Sequence, residues 1–160
     1  LSINNEFSVR NYLINRNEED GGDGGGITGL FTKSDFIFEE DPFVLECLEC
    51  KQLRAKVICD FEITSPNRDV HIAVYANNDS HTKIIDESGN EYYASKVRLA
   101  DKEGNRWVNK EMVKEVPISA DFTFSTGEKK IKRITRMDVL FGEHNISSLK
   151  LQFRGIPVRN

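Results

Sequence analysis

Cysteine, histidine and carboxylate are the side chains through which this chain could do chemistry, and their spacing argues against most of it. Cys47-Leu48-Glu49-Cys50 spells C-x-x-C, and Cys59 follows Cys50 after eight intervening residues. A zinc ribbon needs a second such pair, and a thiol redox motif needs a surrounding βαβ pattern. Neither is present in the sequence. His71, His81 and His144 are scattered without a ligand spacing, as surface or strand-end histidines would be. No G-x-S-x-G elbow offers a nucleophilic serine. Gly21 to Gly26 lacks the Lys-Ser/Thr and the helix of a phosphate loop. Asp20 and Asp23, beside Glu18 and Glu19, are weak calcium candidates in a motif that works by stacking many copies, and one copy is present. Carboxylate pairs act through spatial separation, which spacing alone does not give. The expectation is a non-enzymatic protein with no catalytic residues and no cofactor.

Binding chemistry has better candidates. Tyr92, Tyr93 and Trp107 could form an aromatic platform for a glycan or a protein ligand, or could pack across strands. Side chains alternate along a strand, so one of Tyr92 and Tyr93 must point inward. Cys50 and Cys59 could oppose one another across a hairpin and meet disulfide geometry. They could equally remain two buried thiols in a reducing compartment. A bridge closing so short a loop stabilises by roughly 2–3 kcal/mol. Cys47 would then be a single buried thiol or an intersubunit bridge. Asn78-Asp79-Ser80 and Asn145-Ile146-Ser147 fit the glycosylation sequon, a short and unspecific pattern.

The elements that must carry these residues are strands. Val57-Ile58-Cys59-Asp60-Phe61-Glu62-Ile63 alternates with Val57, Cys59, Phe61 and Ile63 on one face. Ile118, Ala120, Phe122 and Phe124 do the same. Short runs at Phe36–Phe38, Val70–Ala76, Lys83–Asp86, Tyr92–Leu99, Ile131–Phe141 and Leu149–Phe153 are separated by turn signals. Phe43 to Cys50 reads as a strand, or as a helix that Asp41-Pro42 would cap. Asn109 to Lys114 invites a short helix. Asp86-Glu87-Ser88-Gly89-Asn90-Glu91-Tyr92 and Asp101-Lys102-Glu103-Gly104-Asn105-Arg106-Trp107 share the pattern Asp-x-x-Gly-Asn-x-aromatic. Both read as hairpin turns, and neither has the oxygen spacing of an EF-hand.

Composition narrows the class further. At 160 residues with 38% apolar content and ten Phe, one domain with one core is expected. The net charge is −4, and 22 basic residues are interleaved with 26 acidic ones, which is not the clustering of a nucleic-acid binder. Lys129-Lys130 with Lys132-Arg133 reads as the solvated end of a hairpin. No apolar run approaches the roughly 20 residues of a membrane span. The chain opens on Leu1 rather than Met, as it would after removal of a signal peptide, and equally at a chosen boundary.

With these residues in view, the segment from about Phe43 to Val158 resembles the secreted bacterial immunoglobulin-like β-sandwich domains of unknown function related to the immunoprotective extracellular protein fold. The carriers are Cys50 with Cys59-Asp60-Phe61-Glu62-Ile63-Thr64, Ile85 to Tyr92, Val116-Pro117-Ile118 with Asp121-Phe122-Thr123-Phe124, and Leu151 to Val158. The resemblance implies an antiparallel, immunoglobulin-like sandwich of about seven to nine strands at the cell surface or outside the cell. It also favours the Cys50–Cys59 disulfide over two thiols, and it brings no catalytic residues.

Outside that match lies the start of the chain. Residues 1–16 read as a strand extension, 17–30 as an acidic Gly-rich linker and 31–160 as the sandwich domain. Leu1, Ile3, Phe7, Val9 and Leu13 share one face of the extended segment, with Tyr12 and Ile14 on the other. Such a strand could pair within its own domain or complete the sheet of a neighbouring copy. In the second case contacts run head to tail and build a homo-oligomer or a fibre.

Overall fold

Eleven β-strands and no helix make up the described part of the computed structural model, which covers residues 36–77 and 82–160. The strands are β1 (Ile37–Glu40), β2 (Phe43–Leu53), β3 (Lys56–Thr64), β4 (Val70–Tyr75), β5 (Lys83–Asp86), β6 (Glu91–Leu99), β7 (Lys102–Gly104), β8 (Trp107–Met112), β9 (Ile118–Ser125), β10 (Arg133–Glu143) and β11 (Leu149–Arg159). The all-β expectation holds. The extension at residues 1–16, the linker at 17–30, Asp20, Asp23, His81 and the sequon at Asn78 lie outside the described residues. No described helix is long and apolar enough to cross a membrane.

Seven strands close into a barrel-like ring in the order β2-β3-β9-β6-β5-β10-β11, and β11 returns to β2 through a short parallel contact at Val158–Cys50 and Arg159–Lys51. Two layers are made by the ring and the strands that flank it. The first is β1-β2-β3-β9-β6-β7, and the second is built on β10 with β11 along one edge. Strands β6 and β11 each pair in both layers and so turn the corners.

The other edge of β10 is shared by two strands. Strand β5 pairs with Ile134–Asp138, and β4 pairs with Leu140–Glu143, both antiparallel. They are one interrupted strand, and Thr82 mends the break. Its buried hydroxyl donates to the Tyr75 carbonyl at 2.5 Å and accepts the Leu140 amide at 3.0 Å, while its own amide reaches the Ala76 carbonyl. Beyond this divided strand, β6 pairs with β5, and β8 pairs with β4. Among the described residues, β1 and β8 are the terminal strands of this path.

The core lies between the layers. Phe43 and Phe141 meet edge to face at 5.4 Å, Phe61 and Phe122 at 5.6 Å, and Phe61 touches Phe153 at 5.7 Å. Alternation delivers these rings inward, and burying each side chain contributes about 1.5–3 kcal/mol. One break in alternation has a cause. Cys47 and Cys50 are three apart and should face opposite sides, yet both are buried. A bulge between Cys47 and Glu49 absorbs the extra residue and leaves Leu48 outside at 53% exposure. That bulge brings Cys50 directly opposite Cys59, and the two form a disulfide.

Phe43–Cys50 is strand, the first of its two readings, and Asp41-Pro42 lies in the β1–β2 turn rather than capping a helix. The short helix expected at Asn109–Lys114 is not formed: Asn109–Met112 completes β8, with Val108 and Met112 facing the core, and Lys114 lies in the turn beyond. The first Asp-x-x-Gly-Asn turn is a hairpin, with Gly89 at φ +83°. The second is not: β7 pairs only with β6, and the chain then crosses to β8 in the other layer. Gly104 is needed there for closeness, since an added Cβ would sit 2.8 Å from the Trp107 carbonyl oxygen. The Lys129–Arg133 stretch likewise joins two layers rather than ending a hairpin, with the Lys129 carbonyl accepting from Gln52 and the Ile131 amide donating to Gln52.

Cys47 stays a buried thiol, and burial, with Asp60 and Glu46 adding to it, pushes its pKa up to about 12. The native protein should therefore resist alkylation at pH 8. After denaturation without reductant one thiol per chain should react, and with reductant three. Two or more reactive thiols without reductant would contradict the pairing.

Candidate functional site

The outer face of the second layer collects the residues with the strongest binding chemistry. Register fixes three parallel rows, because directly opposed residues share a face. Trp107, Tyr75, Leu140 and Lys150 form the first, from β8 through β4 and β10 to β11. Tyr93, Lys83, Asp138 and Gln152 form the second, from β6 through β5. Glu91, Ile85, Arg136 and Arg154 form the third. Two further rows extend the face past Trp107: Asn109, Ala73 and Gly142, then Glu111, His71 and His144.

Aromatic rings occupy one end. Trp107 is 42% exposed and Tyr93 47%, both high for large rings. The Trp107 indole stacks on the His144 imidazole at 5.6 Å, and His144 lies 4.9 Å from the ring of His71. His71 Nε2 meets Asn109 Oδ1 at 2.8 Å. The β10–β11 turn makes this possible: the His144 amide donates to the His71 carbonyl, and Gly142 lets Ser147 come close, since a Cβ there would lie 2.0 Å from the Ser147 carbonyl oxygen. The two histidines stack rather than converge on a point. Their meeting was not legible as spacing, because 73 positions of chain separate them and only strand pairing closes the gap.

Cations occupy the other end, organised by a buried carboxylate. Asp138 accepts Arg136 Nε at 2.9 Å and Nη2 at 2.7 Å, and Gln152 Nε2 at 3.1 Å, with Lys150 Nζ at 3.6 Å. Burial by itself would raise its pKa, but the Arg136 and Gln152 hydrogen bonds outweigh burial and hold the carboxyl below its usual range. Lys83 pairs with Glu91 at 2.9 Å, and Tyr93 donates to the same carboxylate at 3.3 Å. Arg154 donates twice to the neutral Gln152 Oε1, at 3.1 and 2.7 Å.

Tyr92 belongs elsewhere. It points to the opposite side from Tyr93, packs against the core and donates to Asp86 Oδ2 at 3.1 Å. Of the three rings singled out in the sequence, the structure brings Tyr93 and Trp107 to one face and assigns Tyr92 to the Asp86 turn. Asp86 is buried and fully occupied. Its Oδ1 accepts the Ser88 and Asn90 amides at 2.8 and 2.9 Å, and its Oδ2 accepts the Asn90 side chain at 2.9 Å and meets Lys129 at 3.1 Å. Burial opposes its ionisation, and the Asn90, Lys129 and Ser88 hydrogen bonds overcome that and hold its pKa far below the usual value. This is a turn lock, with its acceptor capacity spent on the chain itself.

No protein-family model matches the chain, and no curated protein matches it either.

Asp138→Asn should cost about 2 kcal/mol, less than breaking a fully buried pair because Arg136 is partly in water. The sign with pH follows from depressed folded pKa values at Asp138 and Asp86. Their contribution is complete above about pH 5 and is lost as pH falls from about 3.9, the unfolded value, towards the folded ones. Urea midpoints at pH 6 and pH 3 should show the wild-type advantage over Asp138→Asn shrinking at pH 3. An advantage that stayed constant would contradict the assignment.

Proposed function

We propose that the chain is a non-enzymatic, extracytoplasmic binding module that engages a glycan through the outer face of its second layer. The observation that carries the reading is the placement of Trp107 and Tyr93, each more than two-fifths exposed, on one sheet face two rungs apart. Outward rings on one sheet face suit stacking against the faces of sugar rings, and the amide of Asn109 and the carboxylate of Glu91 flank the rings as hydrogen-bonding groups. The Cys50–Cys59 disulfide supports an oxidising compartment and hence a location outside the cytoplasm. We read the two layers, closed at their corners by β6 and β11, as a barrel-like relative of the immunoglobulin-like sandwiches.

A second reading is favoured by a different observation. Strand β1 ends the sheet path among the described residues, and the segment holding Leu1, Ile3, Phe7, Val9 and Leu13 precedes it in the chain, separated by the Gly-rich stretch at 17–30. Donation of that segment to a neighbouring copy's edge would give a homo-oligomer or fibre. Deleting residues 1–16 should then leave folded single subunits by size exclusion and remove any filaments seen by electron microscopy.

Trp107 is the chain's one tryptophan, so its fluorescence reports this face alone. Titration with a panel of polysaccharides should shift its emission for at least one. Trp107→Ala should weaken retention of the protein in a gel containing that polysaccharide by at least about tenfold, with the fold intact by circular dichroism. A full panel without effect would overturn the glycan reading.

A further inference from the structure

We propose that the ligand of this face is an acidic polysaccharide, a chain of sugar rings bearing carboxylates, with its rings on Trp107 and Tyr93 and its charges on Lys150 and Arg154. This rests on the glycan reading above and adds the chemical class.

The argument is one of charge placement. Across the face, Lys83, Lys150, Arg136 and Arg154 stand against Asp138, Glu91 and, at the far end of the aromatic side, Glu111. Asp138 is satisfied chiefly by the two-pronged Arg136 contact, and Glu91 by Lys83. Lys150 is the more distant partner of Asp138, at 3.6 Å, and Arg154 binds only a neutral amide. Among the described residues, no carboxylate lies within ion-pair distance of Arg154. The surplus positive charge therefore sits on β11, in a chain whose net charge is −4.

Arg136 and Arg154 are directly opposed across β10 and β11, and like charges in that position disfavour strand pairing. The face is thus arranged against its own stability, with Gln152 holding Arg154 by two hydrogen bonds and Asp138 holding Gln152. The cations are preorganised before a ligand arrives, which lowers the entropy lost on binding.

Rings and charges are also spaced for an extended polymer. Trp107 and Lys150 are the two ends of one row, three strands of pairing apart, or roughly 14 Å at normal strand spacing. Tyr93 and Gln152 span the next row in the same way. A small ligand would not touch both ends, whereas a short oligosaccharide laid across the strands would. An acidic peptide would satisfy the cations and leave the flat rings without partners of their own shape.

The test uses polygalacturonate and its fully methyl-esterified form, which share a backbone and differ in charge, with Trp107 emission and gel retardation as readouts. Polygalacturonate should shift the emission and bind at least about tenfold tighter than the ester. Raising sodium chloride from about 0.05 to about 0.5 M should weaken it severalfold through screening. Arg154→Glu with Lys150→Glu should reduce it by at least about tenfold. Both positions are at the surface, and circular dichroism with an intact disulfide checks the fold. Equal binding of acid and ester, or undiminished binding by the charge-reversed variant, would overturn the acidic assignment and leave the glycan reading standing. Competition by polyglutamate as strong as by polygalacturonate would overturn it in favour of a site for charge alone. Absence of binding to either pectin form would overturn it too, and a response to some other, neutral glycan would then separate this failure from that of the glycan reading.

Discussion

Strand β10 must have both edges hydrogen-bonded because its long central stretch is out of water, and the second layer is organised by that requirement. From Met137 to Gly142 every residue is buried, including those on the outer side. One edge is met by β11 along nearly its whole length. The other is met in two pieces, and the junction between them would leave the Leu140 amide stranded without the Thr82 hydroxyl. The division has a further consequence. Because β4 and β5 are separate strands, each recruits its own neighbour, and those neighbours, β8 and β6, bring Trp107 and Tyr93 to the same face from distant parts of the chain.

The same burial explains the polar half of the face. A carboxylate at position 138, out of contact with water, would be costly without compensation, so Arg136, Gln152 and Lys150 are drawn around it. Those partners then stand in fixed positions on the surface. The outer side of the opposite layer sets Asp60 against Asp121 and Glu46 against Glu62, with Lys51 and Arg98 bridging to the aspartates and Lys96 and Arg159 pairing with Glu103 and Glu49.

Much of the architecture was legible in the chain because strand alternation is a local signal. The inward series Val57, Cys59, Phe61, Ile63 and the series Ala120, Phe122, Phe124 occupy the core as read, and the Cys50–Cys59 pairing follows from their places in one hairpin. Misreadings arose where local pattern and long-range demand part company. Asn109–Lys114 has helix-compatible residues, yet pairing with β4 decides its conformation. The repeated Asp-x-x-Gly-Asn pattern is a hairpin where its Asp is buried and its Gly has positive φ, and a crossover where neither holds. Of the surface site, the exposed rings could be nominated from the sequence, but Arg136, Asp138, Lys150, Gln152 and Arg154 could not. Their relation is a matter of register between β10 and β11, and the stack of His71, His144 and Trp107 depends on a turn folding back over β4.

The most direct test of a ligand face on the second layer is a map of backbone and side-chain NMR shifts on adding an oligogalacturonide to the uniformly labelled protein. The account predicts changes concentrated at Trp107, Tyr93, Lys150, Gln152 and Arg154, with the Asp60–Asp121 side unmoved. Changes confined to that opposite side, or to β1, would contradict it.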